Sequence, residues 1–151
     1  MTKDEICKKY ELDPDRTNVE GKGHFWLHKQ SNKECITFEG VEKMIDYHQI
    51  KFREPSKNFS SKEGEVSLLI FGYFTKEEDG KTKSQDTAWS FGEASKENCG
   101  YISYPWAMAE KRGKMRVALK LLGIYGGSSG FYSDVEMEIS QKYENDNDHG
   151  L

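Results

Sequence analysis

The chain has 151 residues, 35% of them hydrophobic and 32% charged, with 22 basic against 26 acidic side chains and a net charge of −4. That length suits one domain whose core needs no covalent staples. The charge balance excludes a bulk polycation, and no apolar run approaches the roughly 18 residues of a membrane span, so no membrane partner is expected.

The opening Met1-Thr2-Lys3-Asp4-Glu5 has no apolar stretch behind it, which predicts no secretory signal and a cytoplasmic location. Cys7, Cys35 and Cys99 contain no CxxC pair, so they read as reduced thiols and support no zinc ribbon.

Residues 1–23 form a polar arm broken at Asp13-Pro14-Asp15 and Gly21-Lys22-Gly23, expected to be loosely held apart from a short helix around Ile6 to Leu12. His24 to His28 alternates in strand fashion, Ser31-Asn32-Lys33 turns, and Glu34 to Phe38 returns, which predicts a hairpin. Thr37 suits the N-cap of a helix in which Val41, Met44, Ile45 and His48 recur, with His48 on its apolar face and an end near Gln49. A strand over Ile50 to Arg53 should stop at Pro55. Val66 to Phe74 is almost continuously apolar and is expected to be buried on both faces. Glu78-Asp79-Gly80 should turn the chain into a partner strand over Thr87 to Ala94.

Ser103 to Leu122 is the longest predicted helix, with Ser103 as cap, Pro105 in the first turn and Gly123 at the end. The glycine loop 126–130 comes after a helix, so it lacks the helix N-terminus of a phosphate cradle and reads as a flap or an oligomer contact. From Asp134 onward six acids stand against Lys142. The expectation is therefore a single α+β domain over residues 24–137, an antiparallel sheet packed by two main helices, and then an acidic tail, 138–151.

Wound at about 100° per residue, the long helix gathers Tyr104, Met108, Met115, Leu119 and Leu122 on a core stripe, with Ala107 and Ala118 at its margin. On its flank Arg112, Arg116 and Lys120 stack about 6 Å apart. Lys111 and Lys114 add to them, and Glu110 is the one acid in that part of the helix. Ala109 and Gly113 leave the adjoining surface low enough for a flat ligand. Cations at this interval suit the phosphates of a single nucleic-acid strand, and arginine's planar fork can hold a phosphate with two bonds. Tyr101, Tyr104 and Trp106, just ahead of the ladder, are candidates for base stacking. The plainer uses of such residues are a solvated helix face and, for Tyr104, a place in the core.

The stretch Met108-Ala109-Glu110-Lys111-Arg112-Gly113-Lys114-Met115-Arg116-Val117-Ala118-Leu119 resembles the AE-[TK]-R-A-x-x-R-A-L helix of the ERF (essential recombination function) group of phage proteins. Ile36-Thr37-Phe38-Glu39-Gly40-Val41 is similar to that group's YITYEGL segment, and Gly92-Glu93-Ala94-Ser95 to its GEAS/GDAD strand end. Phe131-Tyr132-Ser133, with Asp134 and Glu136 after it, resembles the closing YSEEEAD. The resemblance runs from His24 to Glu138 and departs at Gly113, where the group has alanine, and in the shortness of the chain. It implies a β-β-β-α core of the strand-annealing type, homo-oligomers, and ATP-independent annealing of single-stranded DNA without a cofactor. Arg112 and Arg116 would be its helix arginines.

Rival readings rest on other residues. Asp86, Glu93 and Lys96 faintly match the carboxylates and lysine of metal-dependent nucleases, but Glu-x-x-Lys on a strand sends its two side chains to opposite faces. The non-enzymatic use of Glu93 is to accept hydrogen bonds from Arg112 or Arg116 and orient them. His24, His28 and Cys35 make a weak metal set. A protein-interaction module, with the ladder meeting an acidic partner, is the remaining class. A further expectation is that the acidic tail folds back and competes with DNA for the ladder.

Overall fold

A computed structural model describes residues 1–16, 22–58, 65–95, 104–126 and 130–136. Tyr101, Cys99, Lys96, Ser103 and the tail 138–151 lie outside the described residues. In chain order the elements are α1 (Lys3–Tyr10), β1 (Phe25–His28), β2 (Lys33–Ile36), α2 (Phe38–His48), β3 (Lys51–Phe52), β4 (Ser56–Asn58), β5 (Val66–Glu78), β6 (Lys81–Ala94), α3 (Pro105–Leu121) and β7 (Tyr132–Ser133). A 3₁₀ turn, Asp134–Glu136, closes the described chain.

The expected α+β class holds, but its strands are divided between two sheets. In the first, β1 and β2 form the expected hairpin, and β2 also pairs in parallel with β7, bringing the last described strand beside the first hairpin. In the second, β5 is central: β6 runs along one edge with a register from Val66↔Ala94 to Glu78↔Lys81. The short β3 and β4 lie end to end along the other edge, with Pro55 between them, where a missing N–H breaks an edge strand at little cost.

Local signals explain the helix ends. Thr2 and Glu5 make a capping box at α1, and the Thr37 hydroxyl accepts from the Gly40 N–H at 3.2 Å to start α2. The arm expected to be loose is instead part of the core over its first twelve residues. Ile6 and Tyr10, one turn apart, are buried with Leu12, and Lys3 pairs with Glu34 of β2 at 2.6 Å. His48, expected to be a satisfied core residue, is half-buried with its Nε2 2.8 Å from the Tyr10 hydroxyl.

Two further expectations change. Strand β5 is not buried on both faces: Val66, Leu68, Ile70, Gly72 and Phe74 are buried, while Ser67, Leu69, Phe71 and Tyr73 between them are only partly covered. Helix α3 packs on the first set alone, so among the described residues the sheet has one covered face. The helix itself is buried on more than one side. Met115, Ala118 and Leu119 join the core formed with α1, α2 and the first sheet, whereas Met108, Ala109 and Val117 join Val66, Leu68 and Ile70. Tyr104, placed on the core stripe by its spacing, is the N-cap residue and 58% exposed.

Candidate nucleic-acid interface

Because α3 lies across the second sheet, the flank that carries the cation ladder faces the outer edge of β6. Arg112 is only 3% exposed; its Nη1 donates to the Glu93 carbonyl at 3.0 Å and its Nε to the Val135 carbonyl at 3.2 Å. One turn on, Arg116 Nη1 donates to the Phe91 carbonyl at 2.8 Å, and one turn further Lys120 Nζ reaches the Trp89 carbonyl at 3.4 Å. The three cations thus meet three alternate carbonyls on the strand's free side. The match is one of spacing: four residues of helix rise about 6 Å and two residues of strand about 6.8 Å. An edge strand leaves every second carbonyl without a ladder partner, and here side chains from one helix supply the missing donors.

Arg112 and Arg116 are therefore corrected from phosphate ligands to structural donors. Arg116 also holds the Glu93 carboxylate with two bonds, 2.8 and 2.6 Å, and its Nε pairs with Glu136 of the 3₁₀ turn. Burial works against the Arg116 charge, but the carboxylates of Glu93 and Glu136 outweigh it and hold the proton more tightly than usual. Glu93 has the orienting position expected of it, and the Arg116 hydrogen bonds keep its carboxyl below the ordinary value of 4.5, against the opposing effect of burial. A carboxyl with a depressed folded value stabilises above the ordinary one and loses that contribution as the pH falls through the folded one. The stability gap between wild type and Glu93→Gln, measured by urea unfolding, should accordingly shrink between about pH 5 and pH 3. A gap that stays constant there would show that the ion pair adds nothing to stability.

The low surface beside the ladder is also filled from within. Gly92 of β6 lies so close to α3 that a Cβ built on it would stand 1.9 Å from the Ala109 carbonyl oxygen. No flat ligand can enter there, because the strand backbone occupies the space that Ala109 and Gly113 leave.

The remaining sequence candidates scatter. Lys111 Nζ lies 4.1 Å from the centre of the Phe38 ring on α2, and Lys114 pairs with Glu110 at 2.5 Å, so both look away from the β6 edge into the groove between α2 and α3. Trp106 is 47% exposed with Lys57 of β4 over its ring at 5.1 Å, at the far end of the helix. Lys120 alone of the ladder is exposed, with Trp89 and Tyr125 rings beneath it.

What sequence reasoning missed is the open face of the second sheet. The β5–β6 register sets Leu69 opposite Phe91, Phe71 opposite Trp89 and Tyr73 opposite Thr87, all on the side away from α3. Trp89 is 55% exposed and Phe91 42%, with their rings edge to face at 5.5 Å. Arg53, just past β3, lies over the Phe71 ring at 4.3 Å, and Lys51 is in register with Tyr73. Among the described residues neither Lys51 nor Arg53 has an ion-pair partner. The signal lies in the alternation Leu69-Phe71-Tyr73 and Trp89-Phe91, which the nearly continuous apolar run from Val66 to Phe74 masks.

The metal and nuclease sets do not converge. Asp86 is in register with Phe74 on the helix side and pairs with Lys76 at 2.7 Å, while Glu93 is in register with Ser67 on the open side. His24 Nδ1 accepts from the Asp13 N–H at 2.7 Å, and His28 Nδ1 lies 2.6 Å from the Ser31 hydroxyl. Cys35 is buried, and burial with the nearby Asp134, Glu136 and Glu34 charges pushes its thiol up to about 12, which keeps it protonated and inert. Among the described residues no cluster of three His, Cys, Asp or Glu side chains could hold a metal ion, and no helix is long and apolar enough to cross a membrane. At the base of the glycine loop the Gly126 N–H donates to the Phe131 carbonyl at 2.9 Å; residues 127–129, on which the flap reading rests, lie outside the described residues.

Compared with known proteins, the chain matches no protein-family model and no curated relative.

Proposed function

We propose that the protein binds single-stranded DNA across the open face of its second sheet, without ATP, in support of recombination or strand annealing. The observation that carries this reading is the exposure of Trp89 and Phe91 beside a Phe71 ring covered by Arg53. Large aromatic side chains are normally withdrawn from water, and a contiguous exposed group with cations at its border marks an interaction surface. The Trp89 and Phe91 rings, 5.5 Å apart and set edge to face, offer differently oriented surfaces on which unpaired bases can stack. Lys51 and Arg53 on one side, and Lys120 from the β6 edge on the other, would meet the phosphates. A duplex has its bases stacked on one another and offers the rings no free base face, so a single strand is the better substrate. The choice of annealing among strand-binding activities, and of a homo-oligomer as the working form, comes from the ERF-like order of short motifs.

The test is fluorescence anisotropy with a labelled oligothymidylate and with a duplex of the same length, with and without Mg²⁺. Single-strand preference without cleavage is the expected result. The Lys51→Ala/Arg53→Ala variant should flatten the slope of log affinity against log salt by about 0.7 for each phosphate that is no longer neutralised. Absence of binding, together with self-association that depends on Trp89 and Phe91, would overturn the proposal and make the face a protein interface. Mg²⁺-dependent cleavage would overturn it in favour of a nuclease.

A further inference from the structure

The β5–β6 register lays the side chains of the open face out in rows. Trp89 stands opposite Phe71 and Phe91 opposite Leu69, and the row after them is polar, with Glu93 opposite Ser67. Glu93 thus follows Phe91 on the same face, their Cα atoms about 6.8 Å apart, and Ser67 stands beside it at the roughly 5 Å Cβ separation of cross-strand neighbours. The Glu93 side chain is 45% exposed, and Ser67 is partly covered. From the strand edge Arg116 anchors the carboxylate with bonds of 2.8 and 2.6 Å, one to each oxygen. The anchor fixes the carboxylate in place while nearly half of the side chain faces solvent, and a carboxylate oxygen can accept a second bond. The Arg116 hydrogen bonds also keep its carboxyl below the ordinary value of 4.5, so near neutral pH Glu93 accepts hydrogen bonds and donates none.

The bases differ in what they offer such a row. An unpaired guanine carries two adjacent donors, N1–H and the N2 amino group, and then the O6 acceptor, an order that matches a carboxylate with a hydroxyl beside it. Adenine and cytosine set one amino donor next to a ring-nitrogen lone pair, which a carboxylate oxygen repels. Thymine holds its one N–H between two carbonyls. In a duplex these edges are turned to the partner strand, whereas an unpaired base can present them. We infer that Glu93 and Ser67 read the Watson–Crick edge of one guanine stacked beside Phe91, the Glu93 carboxylate accepting from N1–H and N2–H and the Ser67 hydroxyl donating to O6. The inference rests on the nucleic-acid reading of the face and adds one base-selective position to it. Stacking on Trp89 and Phe91 tolerates any base, so the selectivity belongs to the polar row.

The test is fluorescence anisotropy with the full chain and oligothymidylates of one length whose middle position is dT, dG, dA or deoxyinosine, which lacks the N2 amino group. A single dG should tighten binding about tenfold over dT, the size of one bidentate base contact, with dA and deoxyinosine between them. Glu93→Gln, which replaces one acceptor by a donor, should remove the advantage of dG over dA. Ser67→Ala should lose part of that advantage while unfolding in urea like wild type. The ratio of affinities is the readout, because a merely structural loss lowers all of them alike. Equal binding of the dG and dA oligonucleotides by wild type, or a dG preference unchanged in both variants, overturns the inference and leaves the binding face standing. Absence of binding to every oligonucleotide overturns the nucleic-acid reading, and the inference with it.

Discussion

Gly92→Ala should abolish cooperative folding or lower the melting temperature by at least ten degrees or so, at about 4 kcal/mol or more of lost stability. The new Cβ would stand 1.9 Å from the Ala109 oxygen, 2.9 Å from its carbonyl carbon and 2.7 Å from the Gly113 nitrogen. All three atoms are helix backbone, so no rotamer change relieves the overlap, and β6 must separate from α3. Such a separation opens the cluster of Ile70, Met108, Ala109 and Val117 and also pulls the three edge carbonyls away from Arg112, Arg116 and Lys120. Gly113→Ala is the internal control. Its Cβ would meet the buried Ile70 at Cγ1, 2.4 Å, and Cβ, 3.2 Å, with the Gly92 nitrogen at 3.3 Å, so a branched side chain must shift, and the helix gain of about 1 kcal/mol of alanine over glycine offsets only part of that cost. Thermal unfolding monitored by circular dichroism should therefore find Gly92→Ala the more damaging of the two. Equal tolerance would mean that α3 does not lie directly on the Gly92 backbone.

The second large effect belongs to binding. Trp89→Ala/Phe91→Ala should weaken single-strand affinity by about 2 to 6 kcal/mol, at least thirtyfold, because each ring is asked to stack on a base worth about 1–3 kcal/mol. Both side chains are exposed on a face that no described element covers, so unfolding by urea should stay near wild type. The salt dependence should keep its slope, since every phosphate keeps its cation, and this distinguishes the pair from Lys51→Ala/Arg53→Ala. Anisotropy titrations at two or more salt concentrations read both quantities. Unaltered affinity in the double variant would remove the face from the binding surface.

A contrast within α3 shows what was legible in the chain and what was not. The helix, Pro105 in its first turn, its end before Gly123 and the four-residue interval of Arg112, Arg116 and Lys120 all come from local rules, and the structure has them, with Tyr104 and not Ser103 at the N-cap. So do the Thr37 cap, the β1–β2 hairpin and the Asp79-Gly80 turn between β5 and β6. The target of the cations does not. A rise of about 6 Å per turn suits the phosphates of a strand and the alternate carbonyls of a sheet edge nearly equally. Nothing in the interval itself tells one acceptor from the other.

Sequence by itself determined the periodicities: which residues share a face of a helix or strand, where caps and turns end an element, and that acids accumulate after Ser133. Tertiary structure alone decided which of those faces meet protein and which meet water. Helix α3 is packed on two sides, so its charged flank closes an edge, while among the described residues β5 and β6 are covered on one side only, so Trp89 and Phe91 remain accessible. The physical reason is that spacing is a property of one element's backbone, set by φ and ψ residue by residue. Burial is a property of pairs of elements distant in the chain, and it depends on close approaches such as that of Gly92 to Ala109 that no local pattern encodes.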